Sequence, residues 1–425
     1  MKKIAFIVQR YGVEVNGGAE YHCRILAERL TDTYEVDVLT SCAIEYQKWS
    51  NWYPAETVMI HGVRVRRFAT AYERQSKLSG QTEHQLRKLM AMDKRGAWGW
   101  LKKKYYSLKG PAVDECLRMW PRYQGPYTPE LIEYLRQNHQ QYDALIFFTY
   151  LYYPTIEGLT VAPHKSILIP TAHDEKPIYL PIFPAVFHRP RAILYNTVAE
   201  QRFVNQLFAN QDIHSDVVGV GIEPPHAVSE KTAAELIGTD ADYLLYVGRI
   251  DKAKGCDVMI DQFLRYKKKH PAPLKLVLVG QSFMDIPGHP DIIPAGFVDE
   301  DVKARLLLGA KAMLMPSPYE SLSMVTLESM SVGVPVIANA NCEILLDHIE
   351  ASHAGYAYRD YAEFETAIDN ILTQDISQMA ENGKRYVQQN YTWQAVLEKF
   401  DKAVDYVSTA ATAPAKRSKS RGRQV

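Results

Sequence analysis

Residues 315–337 read MPSPYESLSMVTLESMSVGVPVI and combine two carboxylates with the start of a helix. The stretch begins at the end of an apolar strand, turns through two prolines, and continues into a helix and a second buried strand. Glu320 lies in the turn, and Glu328 lies eight residues later, about two turns into the helix. Ser321 and Ser323 are typical helix-starting residues, so we expect the free N–H groups and the positive dipole end to face the pocket of Glu320. This arrangement suits an anion such as a phosphate.

Runs of strand length recur on both sides of this stretch, with helical patterns between them. Most of the runs are apolar along their whole length, as parallel strands covered on both faces are. Their alternation with helices is typical of doubly wound α/β sheets, and 425 residues are too many for one ordinary core. The predicted strands are 3–9, 35–40, 63–68, 143–149, 166–170, 192–195 and 216–221 in the first half, and 243–247, 274–279, 292–294, 312–315 and 335–338 in the second.

The sequence therefore predicts an α/β protein of two domains joined by a linker. The segment IEPPHAVSEK contains two prolines and has no periodicity, which is typical of a linker. The last residues are small, polar and then basic, so we expect them to be disordered. In chain order we predict a first domain over 1–221 with a mainly helical insertion at about 70–140, the linker over 222–231, a second domain over 232–390, a helix over 391–407 and the tail over 408–425.

The composition excludes several classes of function. Lys and Arg number 49 and Asp and Glu number 49, so the total charge gives no argument for a nucleic-acid partner. The five cysteines are scattered without a CxxC pair, which supports neither a disulfide framework nor a zinc site. The N-terminal apolar run AFIV is too short for a signal peptide, and no run approaches the roughly 20 residues of a membrane span. We therefore expect a cytoplasmic protein with reduced, mostly buried thiols.

Two loops of the first half follow predicted strands and carry candidate site residues. Gly17 and Gly18 separate the first strand from a helix, where close backbone approach would let a ligand meet main-chain N–H groups. The alternative is a tight turn without a ligand, and the motif is not the GxGxxG of dinucleotide sites. His173 and Asp174 follow the strand 166–170, and a histidine there can act as a hydrogen-bond partner or base. Its alternative is a histidine satisfied by local loop contacts.

The second half places two cations at the end of its first strand. Arg249 follows that strand directly, and Lys254 lies in the same turn. Two cations at the carboxyl edge of a parallel sheet can clamp a diphosphate. Glu328, deeper in the pocket, could accept hydrogen bonds from two ribose hydroxyls. For each residue alone, the simpler interpretation is a surface salt bridge worth about 0–1 kcal/mol.

These motifs together resemble a known family. The pattern G-R-x4-K-G at 248–255, followed by E-x7-E at 320–328, resembles the retaining glycosyltransferases of family four (glycosyl transferases group 1). The resemblance implies the GT-B fold, in which two Rossmann-like domains face each other across a cleft and a C-terminal helix crosses back to the first domain. Further similar segments are NGGAE at 16–20, TAHD at 171–174, VGVGIE at 218–223 and YTWQAV at 391–396.

The resemblance also implies residue roles. Arg249 and Lys254 would bind the donor diphosphate and stabilise the leaving group. Glu328 would hold the ribose, and Glu320 would hold the donor sugar together with the start of the helix. The implied catalytic residues are Glu320, His173, Arg249 and Lys254. The implied donor-binding residues are Gly17, Gly18, Arg249, Lys254, Phe297 (at the base), Ser323, Met324 and Glu328, with Asp174 as an acceptor contact.

The implied reaction retains the configuration at the anomeric carbon through an oxocarbenium-like transition state. It needs no metal and no cofactor, because arginine and lysine replace a divalent cation and the nucleotide-diphosphate sugar is itself the donor substrate. One departure concerns residues 320–323, which read E-S-L-S where the family usually has E-G-F-G. The serines add bulk where backbone should approach a ligand.

The function that the resemblance implies is hexosyl transfer to a cell-surface polysaccharide or a lipid-linked oligosaccharide. The alternatives are synthesis of a small glycoside or disaccharide, and a non-catalytic GT-B protein that binds glycans. Residues 86–122 hold ten basic and three acidic side chains with interleaved aromatic residues, including Trp98 and Trp100. This pattern suits peripheral binding to an anionic membrane surface, although a solvated helical face is the alternative.

Overall fold

The structure is a computed structural model that describes residues 1–15, 17–93, 113–228 and 230–412. Its strands are β1 (Lys2–Ile7), β2 (Tyr34–Ser41), β3 (Thr57–Ile60), β4 (Val63–Phe68), β5 (Ala144–Phe148), β6 (Ser166–Ile169), β7 (Ala192–Tyr195), β8 (His214–Val217), β9 (Tyr243–Val247), β10 (Lys275–Val279), β11 (Ile292–Gly296), β12 (Ala312–Met315), β13 (Val336–Asn339) and β14 (Gly355–Tyr358). Its α-helices are α1 (Gly18–Arg29), α2 (Ser76–Asp93), α3 (Val113–Gln124), α4 (Pro129–Asn138), α5 (Tyr153–Gly158), α6 (Phe183–His188), α7 (Val198–Phe208), α8 (Ala233–Ile237), α9 (Cys256–Lys269), α10 (Glu300–Gly309), α11 (Met324–Ser331), α12 (Glu343–Ser352), α13 (Tyr361–Thr373), α14 (Ser377–Asn390) and α15 (Trp393–Thr412).

The strands form two separate sheets, one in each half of the chain. The first has eight strands in the order β3-β4-β2-β1-β5-β6-β7-β8, and the second has six in the order β11-β10-β9-β12-β13-β14. All neighbours pair in parallel except β3 and β4. The strand order reverses between β1 and β5 in the first sheet and between β9 and β12 in the second. Open α/β sheets bind ligands at such switch points, beyond the carboxyl ends of the strands.

Burial explains which strands were predicted correctly. Residues 4–7 of β1 and the whole of β9 and β12 are buried, and the predicted bounds of β4, β9 and β12 match the structure. The two-domain α/β architecture predicted from the sequence is confirmed. All five cysteines are buried, and among the described residues none forms a disulfide.

Several short elements were missed, among them two edge strands and one helix. The edge strand β3 alternates exposed and half-buried residues, and it pairs antiparallel to β4. The edge strand β14 of the second sheet is only four residues long and begins with a glycine. The helix α8 has five residues and a capping box, in which the Thr232 side chain accepts from the backbone N–H of Glu235.

Two predicted boundaries differ most from the structure. The strand expected over 216–221 is β8, which ends at Val217 because Gly219 adopts a left-handed φ of 67°. The last helix continues to Thr412, so 408–412 are helical rather than part of a disordered tail, and the Ser408 hydroxyl donates to the carbonyl of Asp405. Residues 413–425 lie outside the described residues.

The insertion predicted over 70–140 contains α2, α3 and α4. Trp120 of α3 is buried, and its ring lies edge-on to Phe183 at a centroid distance of 5.8 Å. Of the basic segment 86–122, residues 94–112, including Trp98 and Trp100, lie outside the described residues. The proposed membrane contact of this segment therefore stays a prediction. Within the part of the chain that the structure describes, no helix has the length and apolar character of a membrane span.

The final helix α15 returns to the first domain. Its buried residues join the hydrophobic cluster of β1 and β5, and Phe400 stacks on Phe6 at 6.0 Å between ring centroids. Lys399 donates to the carbonyl of Val217 at 2.6 Å, and Tyr34 donates to Asp401 at 2.7 Å. These contacts hold α15 against the first domain, so the chain passes from the second domain back to the first just before this helix.

Candidate active site

The loops after β9 and β12 bring Lys254 to Glu320. The Asp251 side chain accepts from the backbone N–H of Lys254 at 2.8 Å and shapes the turn after β9. Gly255 follows in the left-handed region, and a Cβ there would lie 2.7 Å from the carbonyl oxygen of Pro316. Only glycine allows this close approach of the two loops. As a result, the Lys254 ammonium lies 2.6 Å from the Glu320 carboxylate.

Arg249 extends from the same edge toward the first domain. Its guanidinium pairs with Asp251 and donates to the hydroxyl of Tyr46 at 3.2 Å. Tyr46 belongs to the loop after β2, and its ring also faces the guanidinium of Arg10 at 5.7 Å. Sequence reasoning missed Tyr46, because nothing in its local sequence indicates that two arginines from different domains converge on it.

The helix α11 begins at Met324, and its cap differs from the expectation. Ser323 is the cap residue, but its φ of 61° directs its hydroxyl to the hydroxyl of Thr326 at 2.8 Å rather than to a backbone N–H. The helix thus starts where the serines predicted it, but without a side-chain cap. The N–H groups of Met324 and Val325 precede the helical hydrogen-bond ladder, so they have no partner within the helix.

Glu328 is the fifth residue of α11, so it lies little more than one turn inside the helix, not two. Burial raises the pKa of its carboxyl, and the ion pair with Lys303, at 3.2 Å, opposes that rise. Lys303, on α10, also pairs with Glu300 at 2.6 Å. Sequence reasoning missed Lys303, although it follows β11 as the other candidates follow their strands.

A cavity of about 610 Å³ lies beside this pair and spans both domains. Met324, Lys303 and Glu328 line it from the second domain, and Tyr21 and Ile25 of α1 line it from the first. Burial raises the pKa of the Tyr21 hydroxyl, and the carboxylates of α10 and α11 add to that effect. The cavity therefore presents the Glu328 carboxylate and the Lys303 ammonium to a ligand that lies between the domains.

In the first domain, the glycine loop is shaped by a buried ion pair. A Cβ on Gly17, whose φ is 152°, would lie 2.2 Å from the carboxylate of Glu20. That carboxylate accepts from Arg10 at 2.5 Å and from Gln9 at 2.9 Å. At Gly18 a Cβ would meet nothing within 4 Å. Gly17 is thus required by the protein's own packing, and Gly18 leaves open space at the start of α1.

The loop after β6 carries His173 toward the second domain. Its ring lies 5.9 Å from the ring of Tyr319, the residue before Glu320. The loop is fixed by Glu200 of α7, which is fully buried and accepts from the N–H of Ala172 at 2.5 Å and of Asn196 at 2.6 Å. Burial raises the pKa of Glu200 to about 8, against the effect of these two hydrogen bonds. Sequence reasoning missed Glu200.

The structure thus groups most of the predicted site residues around one cleft. Arg249, Lys254 and Glu320 lie on neighbouring loops of the second domain, where Ser323 is the cap residue of α11 and Met324 and Glu328 lie within that helix. Gly17, Gly18 and His173 lie on the first domain. Two candidates are less well placed. Asp174 is exposed and accepts from the hydroxyl of Tyr179 at 2.7 Å. Phe297 is 76% exposed and does not line the described cavity.

Chemically, the cleft can hold an anion and several hydroxyls at once. Two cations and a helix start offer charge and N–H donors to a diphosphate, and two carboxylates offer acceptors to a polyhydroxyl group. Among the described residues, no group of three or more His, Cys, Asp or Glu side chains could hold a metal ion.

Comparisons with known proteins bear on the fold and the family. Residues 241–374 match the model of the family described as Glycosyl transferases group 1. The chain is 27% identical over 189 residues to lipopolysaccharide 1,2-N-acetylglucosaminetransferase of Salmonella typhimurium, a match that covers 39% of this chain and 48% of that protein. The matched segments span less than half the length of the first curated relatives, from 28% to 48%.

Solved structures resemble the chain over nearly its whole length. Sucrose-phosphate synthase from Thermosynechococcus elongatus has a TM-score of 0.66 at 16% identity, covering 96% of this chain and 100% of that one. Anabaena HepE, solved in complex with UDP and glucose, has a TM-score of 0.64 at 14% identity, covering 95% and 100%. The chain has the GT-B fold, and residues 241–374 of its second half match the group 1 model.

Proposed function

We propose that this protein is a retaining glycosyltransferase that uses a nucleotide-diphosphate sugar as donor. The observation that carries the proposal is the Lys254–Glu320 ion pair, 2.6 Å long, at the start of α11 and at the switch point of the second sheet. A lysine ammonium beside a helix start offers both charge and N–H donors to a diphosphate, and its pair with Glu320 holds the ammonium at that position. The matched group 1 family supports the same interpretation.

In this proposal the donor occupies the second-domain edge. Its diphosphate lies between Arg249, Lys254 and the free N–H groups at the start of α11. Its nucleoside enters the interdomain cavity, where the Glu328 carboxylate accepts from the ribose hydroxyls. UDP bound to the structurally similar HepE supports a nucleoside diphosphate as the ligand class.

The reacting sugar then lies between Glu320 and the His173 loop. As the bond to the diphosphate breaks, Arg249 and Lys254 stabilise the charge that develops on the leaving group, which is the work a metal ion does in other transferases. The acceptor hydroxyl attacks from the face that the diphosphate leaves, and a leaving-group oxygen accepts its proton. Glu320 and Glu328 hold hydroxyls in this scheme and are not the acid and nucleophile of a glycosidase.

For the acceptor we propose a cell-surface polysaccharide or its lipid-linked precursor, assembled on the cytoplasmic face of the membrane. The matched Salmonella protein acts on lipopolysaccharide by its name, which supports this acceptor class. The basic segment 86–122 would provide the peripheral membrane contact. The alternative acceptor is a small sugar or sugar phosphate, and analysis of the reaction product would distinguish the two acceptor classes.

A donor panel tests the proposal. The purified protein is incubated with UDP-, ADP-, GDP- and TDP-sugars, with and without oligosaccharide or sugar-phosphate acceptors and in the presence of EDTA. We expect release of one nucleoside diphosphate and, by NMR, a product with the anomeric configuration of the donor. A protein that neither binds nor turns over any donor would contradict the proposal, and activity abolished by EDTA would contradict its metal-independent mechanism.

A further inference from the structure

The loop that carries Glu320 is anchored by a histidine outside the cleft. His348 lies on α12, is fully buried, and makes a 2.8 Å hydrogen bond from its Nε2 to the carbonyl oxygen of Leu322. Leu322 lies between the donor-site residues Glu320 and Ser323. The bond therefore acts on the backbone of the loop at its midpoint.

The protonation of His348 fixes the direction of a chain of hydrogen bonds. Burial lowers the pKa of His348 to about 4, so the ring is neutral and carries one N–H. Because Nε2 donates to Leu322, Nδ1 must accept, and its partner is the hydroxyl of Tyr386 at 3.0 Å. Because the Tyr386 hydroxyl donates its proton to Nδ1 of His348, its oxygen accepts from the hydroxyl of Tyr391 at 3.3 Å.

Tyr391 lies where the chain crosses between the domains. Its carbonyl oxygen accepts from the N–H of Ile222 on the other crossing segment, at 2.8 Å. A Cβ on Gly219 would lie 3.2 Å from the Tyr391 ring, and one on Gly221 would lie 2.2 Å from the ring of Trp393. The two crossings are thus in direct contact, and the hydrogen-bond chain runs from them to the loop 320–323.

This loop needs support from outside. Ser323 has a left-handed φ of 61°, which side chains other than glycine rarely adopt, and its hydroxyl does not cap α11. Such conformations persist where the surrounding structure over-determines them. The hydrogen bond from His348 holds the backbone carbonyl of Leu322 in place, which the loop's own side chains do not do.

We propose that His348 and Tyr386 are positioning residues, which hold the loop 320–323 in the register that presents Glu320 and the start of α11 to the donor. The inference rests on the proposed function for its effect on turnover, but its effect on the loop is independent of any reaction. A histidine that served only the core would support the stability of the domain without governing this loop.

The primary test is Tyr386→Phe, which removes one hydroxyl and keeps the ring. Tyr266→Phe is the matched control, because Tyr266 donates a comparable 2.8 Å hydrogen bond to Asp369 within the second domain's other hydrophobic cluster. Amide hydrogen exchange is measured on the intact protein. We expect faster exchange at residues 321–326 in Tyr386→Phe and unchanged exchange there in Tyr266→Phe.

Turnover provides the second measurement. We expect His348→Phe to lower kcat by about 100-fold at saturating donor, since a displacement of about 1 Å at a reacting group has an effect of that order. His348→Gln keeps a donor for the Leu322 carbonyl and should recover most of the loss.

The proposal is overturned if Tyr386→Phe leaves exchange at 321–326 unchanged, or if His348→Phe folds and lowers only the melting temperature while kcat stays constant. If His348→Phe does not fold, the exchange result for Tyr386→Phe decides. A wild-type protein without transferase activity would refute the proposed function, while the exchange measurement would still decide the role of His348.

Discussion

The two sides of the cleft use carboxylates in opposite ways. In the second domain, Glu320 and Glu328 are paired with lysines, and Glu328 lines the interdomain cavity. In the first domain, Glu20 and Glu200 are buried, and each accepts hydrogen bonds that fix a loop. In the function that we propose, the same residue type therefore serves donor binding on one side and loop geometry on the other. Burial and the identity of the donors decide which role each carboxylate has.

The largest effect is expected at the ligand-facing pair. Lys254→Ala should lower turnover about 10²–10³-fold, because a preorganised cation that faces developing charge contributes on that scale. Lys252→Ala is the matched control, since Lys252 is an exposed lysine of the same short turn. Steady-state kinetics of both variants test the difference. Equal activities of the two variants would show that the Lys254–Glu320 pair has no special role in turnover.

The glycine loop offers the next largest effect. Gly17→Ala should destabilise the protein by about 1–3 kcal/mol, because the new Cβ would meet Glu20 at 2.2 Å in a backbone conformation that alanine disfavours. Urea unfolding provides the measurement. A stability equal to that of the wild type would show that Glu20 is not a fixed support of this loop.

The pH dependence of stability tests the buried carboxylate Glu200. Its pKa is about 8 in the folded protein and near 4.5 when unfolded, so between these values the folded state holds a proton that the unfolded state has lost. This group's contribution to stability therefore falls as pH rises from 4.5 through 8, by at most about 1.4 kcal/mol per pH unit.

Glu200→Gln removes that titration. We expect the variant to be less stable by about 1–3 kcal/mol below pH 6, since the amide cannot accept both N–H groups. Its stability should also decline less between pH 5.5 and 7.5 than that of the wild type. Parallel pH profiles from urea unfolding would contradict the assignment.

The smallest expected effect on stability belongs to Gly18. Gly18→Ala should change the free energy of unfolding by less than about 1 kcal/mol, because open space surrounds the new Cβ. If donor phosphates approach this backbone, the same variant should raise the donor KM. An unchanged KM would remove Gly18 from the donor site and leave the first domain with a purely supporting glycine loop.

The sequence predicted the buried strands and the charged residues that follow them, but not the edge strands or the buried residues that support the loops. Strands buried on both faces, such as β9 and β12, were predicted with correct bounds because their apolar runs are continuous. Residues at strand ends were also predictable as neighbours, since parallel sheets place those ends at one edge. The edge strands β3 and β14 were missed because they are short and only partly buried.

The supporting residues were not predictable, because each acts through an element distant in the chain. Glu200 binds the backbone 28 residues before it, Tyr46 meets Arg249 across 203 positions, and His348 reaches Leu322 from another helix. None of these contacts leaves a local pattern. A sequence shows which charges follow strands, but not which buried groups hold the loops that carry them.

Equilibrium binding of a nucleoside diphosphate tests the central claim most directly. UDP is titrated calorimetrically into the wild type, Lys254→Ala and Lys252→Ala, followed by ADP, GDP and TDP if UDP does not bind. The account predicts saturable binding of one nucleotide to the wild type, an at least 10-fold weaker affinity for Lys254→Ala, and an unchanged affinity for Lys252→Ala. Equal affinities of the two lysine variants, or no nucleotide bound by the wild type, would contradict it.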